Sequence, residues 1–93
     1  NIMKFHEFVT LRRVKLNLDQ QELAKRANIS DVYVQHIEDG IRIPQDTLIL
    51  SQLADALQLD REWFRDFAYV KATLFTNIIL KGEDQSTEYL SPG

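Results

Sequence analysis

The sequence predicts an all-α protein with one domain, and three observations support this. The chain has 93 residues, a length that normally corresponds to a single domain. It is 44% hydrophobic and 27% charged, with only three glycines and two prolines, which is typical of a globular, helix-rich chain and argues against disorder. Apolar residues also recur at helical spacing, and capping residues precede most of these runs.

The first helix is predicted over residues 3–16. Its apolar stripe has spacings of four, four and three residues, which place the side chains on one helix face. The stripe consists of Phe5, Val9, Arg13 and Leu16. Asn17 follows it and tolerates the left-handed conformation that ends many helices.

Two short helices come next, and each begins at a capping residue. Asp19 can accept a hydrogen bond from the backbone of Glu22, whose carboxylate can reach back to complete a capping box. Asn28 interrupts this second helix, and Ser30 caps the third. The third helix ends at Gly40, because glycine is the usual residue just past a helix end. The predicted connection between the two helices is therefore only about three residues long.

The fourth and fifth helices are predicted to begin at Asp46 and Asp60. Ile43 precedes a proline and is therefore pushed out of the helical region, so a short extended loop separates the third helix from the fourth. Large apolar residues from the second, third and fourth helices are expected to form the core. They are Leu23, Val34, Ile37, Leu50, Leu53 and Leu57.

A further helix is predicted over residues 66–81. Apolar residues in this segment are spaced three, four and four apart, which favours a helix over the strand that its β-branched residues would allow. These apolar residues are Phe67, Val70, Leu74 and Ile78. Residues 82–93 are rich in polar residues and glycine, and they read as a flexible tail.

Composition and motifs exclude several classes of function. The net charge of −3 gives no overall basic field, so binding to nucleic acid has to be local. No cysteine, paired histidine motif, phosphate-binding glycine loop or nucleophile motif occurs, so we expect no enzyme, no catalytic residue, no metal and no cofactor. No apolar run approaches the length of about 20 residues that crosses a bilayer, and no signal peptide is visible. These features predict a cytoplasmic protein without a membrane partner.

The stretch from Asp19 to Gly40 has the plan of two capped helices joined by a tight turn. The matching residues extend well beyond it. They are residues 18–24 (LDQQELA), Ile29-Ser30, Val34, residues 37–40 (IEDG), Arg42, Pro44, Leu50, residues 53–57 (LADAL) and Trp63-Phe64. In this arrangement the sequence resembles the Cro/CI-type helix-turn-helix family, also called XRE. The resemblance covers about residues 4–65, with Asn28 where the family usually has glycine.

The resemblance implies a compact five-helix, lambda-repressor-like DNA-binding domain over residues 1–65, to which residues 66–81 add another helix. It further implies a dimeric transcriptional regulator, most simply a bacterial or phage repressor, whose third helix enters the major groove of double-stranded DNA. A second hypothesis keeps the fold but gives this face to a protein partner, as the acidic charge balance would allow.

By resemblance, six side chains of the third helix face the bases: Ser30, Asp31, Val32, Tyr33, Gln35 and His36. Gln35 and His36 can donate to purine edges, Val32 can pack on a thymine methyl, and Asp31 can accept only from a cytosine amino group. Tyr33 can reach a base or a phosphate. Three of them have an alternative role: Asp31 also suits the positive end of a helix dipole, and Val32 and Tyr33 would also suit a protein interface.

Three further groups of residues follow from the resemblance and from helix geometry. Gln20, Arg42 and Arg12 are the candidate phosphate contacts. Each arginine could instead be an ordinary solvent-exposed side chain. Arg13 and Glu38 are predicted to form a partly buried ion pair. The apolar residues after Phe64 have no place in the five-helix core, so they are predicted to form a homodimer interface rather than to dock within the chain. These are Phe67, Val70, Leu74, Phe75 and Ile78.

Overall fold

The computed structural model describes the backbone of residues 3–83 and the side chains of residues 3–72. Five α-helices make up this part of the chain, and it contains no strand. Their bounds are α1 Phe5–Lys15, α2 Gln20–Ala27, α3 Asp31–Glu38, α4 Thr47–Ala56 and α5 Arg61–Glu83. The all-α, five-helix prediction is therefore confirmed.

The starts of four helices follow the predicted caps. The carboxylates of Asp19, Asp46 and Asp60 and the hydroxyl of Ser30 each accept a backbone N–H in the first turn of the following helix, at 2.7 to 3.1 Å. Glu22 does not complete the expected capping box, and its carboxylate instead accepts a hydrogen bond from Arg26 Nε at 3.2 Å.

Helices α1 to α4 all end in the same way. The backbone turns at a residue with positive φ, and the next N–H donates to a carbonyl five residues back, at 2.8 to 3.2 Å. The positive-φ residues are Asn17, Asn28, Gly40 and Gln58. The first three agree with the sequence analysis, whereas Gln58 was not expected there.

The segment after Phe64 differs from the prediction in its connection. Residues 66–81 are helical, but they continue α5 instead of forming a separate sixth helix. The same helix includes Gly82 and Glu83, at the start of the predicted tail. No glycine or proline lies between Phe64 and Phe67, so no helix breaker interrupts the helix there. Residues 84–93 of the predicted tail lie outside the described residues.

The core lies where the five helices meet. All six residues expected in the core are buried, and Val9, Phe64 and Ala68 join them with no exposed area. Four aromatic side chains of α1 and α5 pack beside this core, with ring centroids 5.1 to 5.6 Å apart; they are Phe5, Phe8, Trp63 and Phe67. This aromatic cluster attaches α1 to α5, and it holds Phe67 inside the chain's own packing.

Candidate nucleic-acid interface

Helices α2 and α3 are joined by a tight turn that the local sequence explains. Asn28 has φ of 57°, and the N–H of Ile29 donates to the carbonyl of Ala24 at 3.0 Å, which ends α2. Ser30 then caps α3 by accepting the N–H of Tyr33 at 3.0 Å. The small, buried side chains of Ala24 and Ala27 lie in the same core cluster as the buried face of α3. The two helices are thus closely connected and share one core.

Helix α3 has one buried face and one exposed face. Val34 and Ile37 have no exposed area and attach the helix to the core. Ser30, Gln35 and His36 are exposed, Val32 is 51% exposed, and Asp31 and Tyr33 are partly buried. The six predicted base-contacting residues thus lie together on or beside the side of α3 that points away from the core.

Arg42 lies beside this face. Its guanidinium carbon lies over the ring of Tyr33, 4.9 Å from the ring centroid. The chain reverses at Gly40, where φ is +78°, and this reversal brings the loop residue back toward the helix. Arg42 is exposed and Tyr33 is partly buried against the core. The contact therefore joins a predicted phosphate contact to a predicted base contact.

Arg13 and Glu38 are also brought together. Arg13 Nε and Nη2 donate to the two carboxylate oxygens of Glu38 at 2.7 and 3.0 Å, and Arg13 Nη1 donates to the carbonyl of Leu18 at 2.8 Å. Their side chains are 14% and 5% exposed. Gln20 Nε2 adds a bond to Glu38 Oε1 at 2.9 Å, so the network connects α1, α2 and α3.

This network changes the acidity of both charged groups. Burial acts to raise the pKa of the Glu38 carboxyl, but the hydrogen bonds from Arg13 and Gln20 and the positive charge of Arg13 hold it below its ordinary value. The hydrogen bond to Glu38 raises the pKa of the Arg13 guanidinium, against the effect of burial. Both groups are therefore more firmly ionised in the folded chain than in the unfolded one.

Arg12 takes part in a contact that sequence reasoning did not find. Its Nε donates to the carbonyl of Leu57 at 2.8 Å, and its Nη2 donates to that of Gln58 at 3.1 Å. These carbonyls lie just past the end of α4, where backbone acceptors have no partner within the helix. The residues involved are 45 and 46 positions apart in sequence, and no local pattern connects them. Arg12 thus ties α1 to the end of α4.

The five predicted dimer residues do not share one environment. Phe67 packs in the aromatic cluster, which is the docking within the chain that was considered as the alternative. Val70 is 51% exposed, and the neighbouring Tyr69 is 67% exposed. Leu74, Phe75 and Ile78 lie on the described backbone of α5, but their side chains are outside the described residues.

The described part of the chain contains no cluster of three or more histidine, aspartate or glutamate side chains placed to hold a metal ion. Within residues 3–83, no helix combines the length and apolar character needed to cross a lipid bilayer.

Comparison with known families agrees with this geometry. A model of the helix-turn-helix family matches residues 10–64, more than half of the chain and the whole region from the middle of α1 into α5. No curated protein and no solved structure matches the chain.

Proposed function

Because the chain belongs to the Cro/CI-type helix-turn-helix family, whose domain implies DNA binding, we propose that it is a sequence-specific transcriptional repressor that acts as a homodimer. The observation that carries this proposal is the division of α3 into a fully buried face and an exposed polar face. A recognition helix needs both, since one face must hold it to the domain while the other reaches base edges in the major groove.

We assign base recognition to residues at the start of α3 and on its exposed face. Gln35 and His36 offer donors to purine edges, and Val32 offers an apolar surface to a thymine methyl group. Asp31 fits a cytosine amino group and disfavours a nearby phosphate. Ser30 supplies a hydroxyl at the start of the helix, although this oxygen already accepts the N–H of Tyr33. The set predicts an operator in which only a few base pairs per half-site are read directly.

Phosphate binding is assigned to Arg42, Gln20 and Arg12. Arg42 has no hydrogen bond or ion pair with the described part of the chain, so all its donors are open to a ligand. Gln20 and Arg12 are already engaged, but only in part. The Gln20 amide donates one N–H to Glu38 and keeps a second, and Arg12 uses two of its five N–H donors. Their contacts within the chain therefore leave N–H donors for a phosphate oxygen.

The acidic charge balance makes local contacts decisive. With a net charge of −3, the chain has no long-range attraction to DNA, so binding depends on the few cations that lie beside α3. A homodimer doubles each contact and places two recognition helices about one helical turn of DNA apart, at roughly 34 to 36 Å. We therefore expect a two-fold symmetric operator.

The test is selection from random duplexes, followed by anisotropy titrations of the enriched sequence over a range of salt concentrations. A dimer that contacts about six phosphates should show a log-log salt slope near −5, from about −0.9 per contact. Gln35→Ala and His36→Ala should relax the preference at particular base pairs. Arg42→Ala should weaken all sequences alike and reduce the slope by about two, one contact per protomer.

Arg61→Ala is the matched control, because Arg61 is exposed but pairs with Asp55 at 2.6 Å on the surface. It should leave both the affinity and the salt slope unchanged. If selection enriches no sequence and binding shows no salt dependence, the DNA proposal fails. The exposed face of α3 would then belong to a protein partner.

A further inference from the structure

Four of the six arginines make side-chain hydrogen bonds within the described part of the chain, and Arg42 is not one of them. Arg13 pairs with Glu38, Arg26 with Glu22, and Arg61 with Asp55. Arg12 donates to two backbone carbonyls. Arg42 instead contacts the face of the Tyr33 ring, at 4.9 Å from guanidinium carbon to ring centroid.

Such a contact holds an arginine without using its hydrogen-bond donors. The attraction is between the positive charge and the electron-rich ring face, so no conventional acceptor takes an N–H. The five N–H donors of Arg42 therefore remain available for a phosphate, which an arginine fork binds with two parallel hydrogen bonds. An ion pair with a carboxylate would have removed several of them.

The ring itself is well fixed. Tyr33 lies in the first turn of α3, is partly buried, and packs against the core next to Val34, which is fully buried. Arg42 lies in the loop after the helix and is exposed. A free arginine on a loop would have to give up much of its rotamer freedom on binding, whereas one held against a fixed ring has given up part of it already.

We propose that Tyr33 is a positioning residue, whose ring holds Arg42 beside the recognition helix in readiness for a DNA phosphate. This inference rests on the proposed DNA binding and replaces the base-reading role that the family pattern implies for Tyr33. It follows that Tyr33 contributes to affinity for every sequence equally, because it acts through a contact that carries no base information.

Titrations of the full chain against the selected operator and an unrelated duplex test the proposal. Tyr33→Leu should weaken binding to both duplexes by the same factor, about 4- to 25-fold for a dimer, from roughly 2- to 5-fold per protomer. Tyr33→Phe keeps the ring and should restore binding to nearly that of the unchanged chain. In an Arg42→Ala background, Tyr33→Leu should have little further effect, because the residue it positions is gone.

Leu48→Ala is the control, since Leu48 is exposed on α4, a helix with no assigned part in DNA binding or dimerisation, and the change is expected to have no effect on affinity. In the unchanged chain, NMR should show Arg42 side-chain protons shifted upfield by the Tyr33 ring, a measurement that does not depend on a variant folding. Absence of that shift, additive losses in the double variant, or a loss confined to one base pair would each overturn the proposal. If the unchanged chain binds no duplex, it is the proposed function that has failed.

Discussion

Arg13 on α1 and Glu38 at the end of α3 are joined by two hydrogen bonds of 2.7 and 3.0 Å, with only 14% and 5% of their side chains exposed. Glu38 is the last residue of the helix whose outer face carries the proposed base contacts. The pair therefore fixes one end of α3 to the first helix of the chain.

Arg13→Ala should lower the free energy of unfolding by about 3 kcal/mol, because it leaves the Glu38 charge largely buried and without its partner. Arg26→Ala is the control, since that residue pairs with Glu22 at the surface, where both side chains are about half exposed. It should cost less than about 1 kcal/mol. Urea unfolding measures both, and a loss below about 1 kcal/mol for Arg13→Ala would contradict the prediction.

Stability should fall in acid. The pKa of Glu38 is lower in the folded chain than in the unfolded one, so the folded chain binds fewer protons as the carboxylate titrates. The stabilisation is complete above the unfolded value, about 4.3, and is lost as pH falls through the lower folded pKa. The melting temperature, measured between pH 7 and pH 2, should therefore fall at the acid end of this range. We call this fall the acid limb.

Glu38→Gln should flatten the acid limb. The Arg61 guanidinium also holds the pKa of Asp55 below its ordinary value, but that pair lies at the surface with more than half of each side chain exposed. Asp55→Asn should therefore keep most of the acid limb. An acid limb unchanged by Glu38→Gln would show that other carboxylates are responsible.

Gly40→Ala should destabilise the domain by about 1 to 2 kcal/mol. The φ of +78° at Gly40 is unfavourable for a residue with a Cβ, and the added carbon would lie 3.1 Å from Cδ2 of His6. In a His6→Ala background the contact is relieved, so the same substitution should cost less but still destabilise. Equal stability of Gly40→Ala and the unchanged chain, measured by urea unfolding, would contradict both parts of the explanation.

Gln58→Gly should stabilise the domain. Gln58 holds φ of 59° without the advantage of a glycine, and its bond from Arg12 goes to the backbone carbonyl, which the substitution keeps. After allowance for the greater freedom of glycine in the unfolded chain, the gain should be about 0.5 kcal/mol. Gln52→Gly, within α4, should instead cost about 1 kcal/mol. A lower melting temperature for Gln58→Gly would show that this turn has another requirement.

The homodimer should depend on the exposed side of α5. Truncation after Arg65 is unsuitable, because it removes Phe67 and the fully buried Ala68. Val70→Lys instead places a charge on a residue that is 51% exposed, and should shift sedimentation at tens of micromolar from dimer toward monomer. Leu48→Lys, at a residue 64% exposed on α4, should leave the sedimentation of the chain unchanged. A full chain that is monomeric throughout would refute the dimer.

Much of the fold could be predicted because the signals are local. A carboxylate or hydroxyl at Asp19, Ser30 and Asp46 marks a helix start through a bond only two or three residues away. Asn28 marks a helix end because asparagine tolerates positive φ. Gln58 adopts the same conformation without any such preference, so its turn could not be found from residue type.

The site was less predictable because its contacts are distant in sequence. The exposed positions of α3 follow from helical periodicity and the buried Val34 and Ile37. The contacts of Arg12 and Arg42, by contrast, depend on how helices and loops meet in three dimensions. The length of α5 was also missed, because the pattern shared with the family ends near Phe64 while the helix does not.

The continuity of α5 has a consequence for operator geometry. Its 23 residues correspond to a rod of about 34 Å, anchored at one end by Phe64 in the core and without a loop that could act as a joint. Two domains joined through the C-terminal part of α5 would hold their two recognition helices at one separation and one angle. One base pair inserted between the half-sites rotates the second half-site by about a tenth of a helical turn. Rigid α5 helices could not adjust the two recognition helices to this rotation, so we expect binding to weaken.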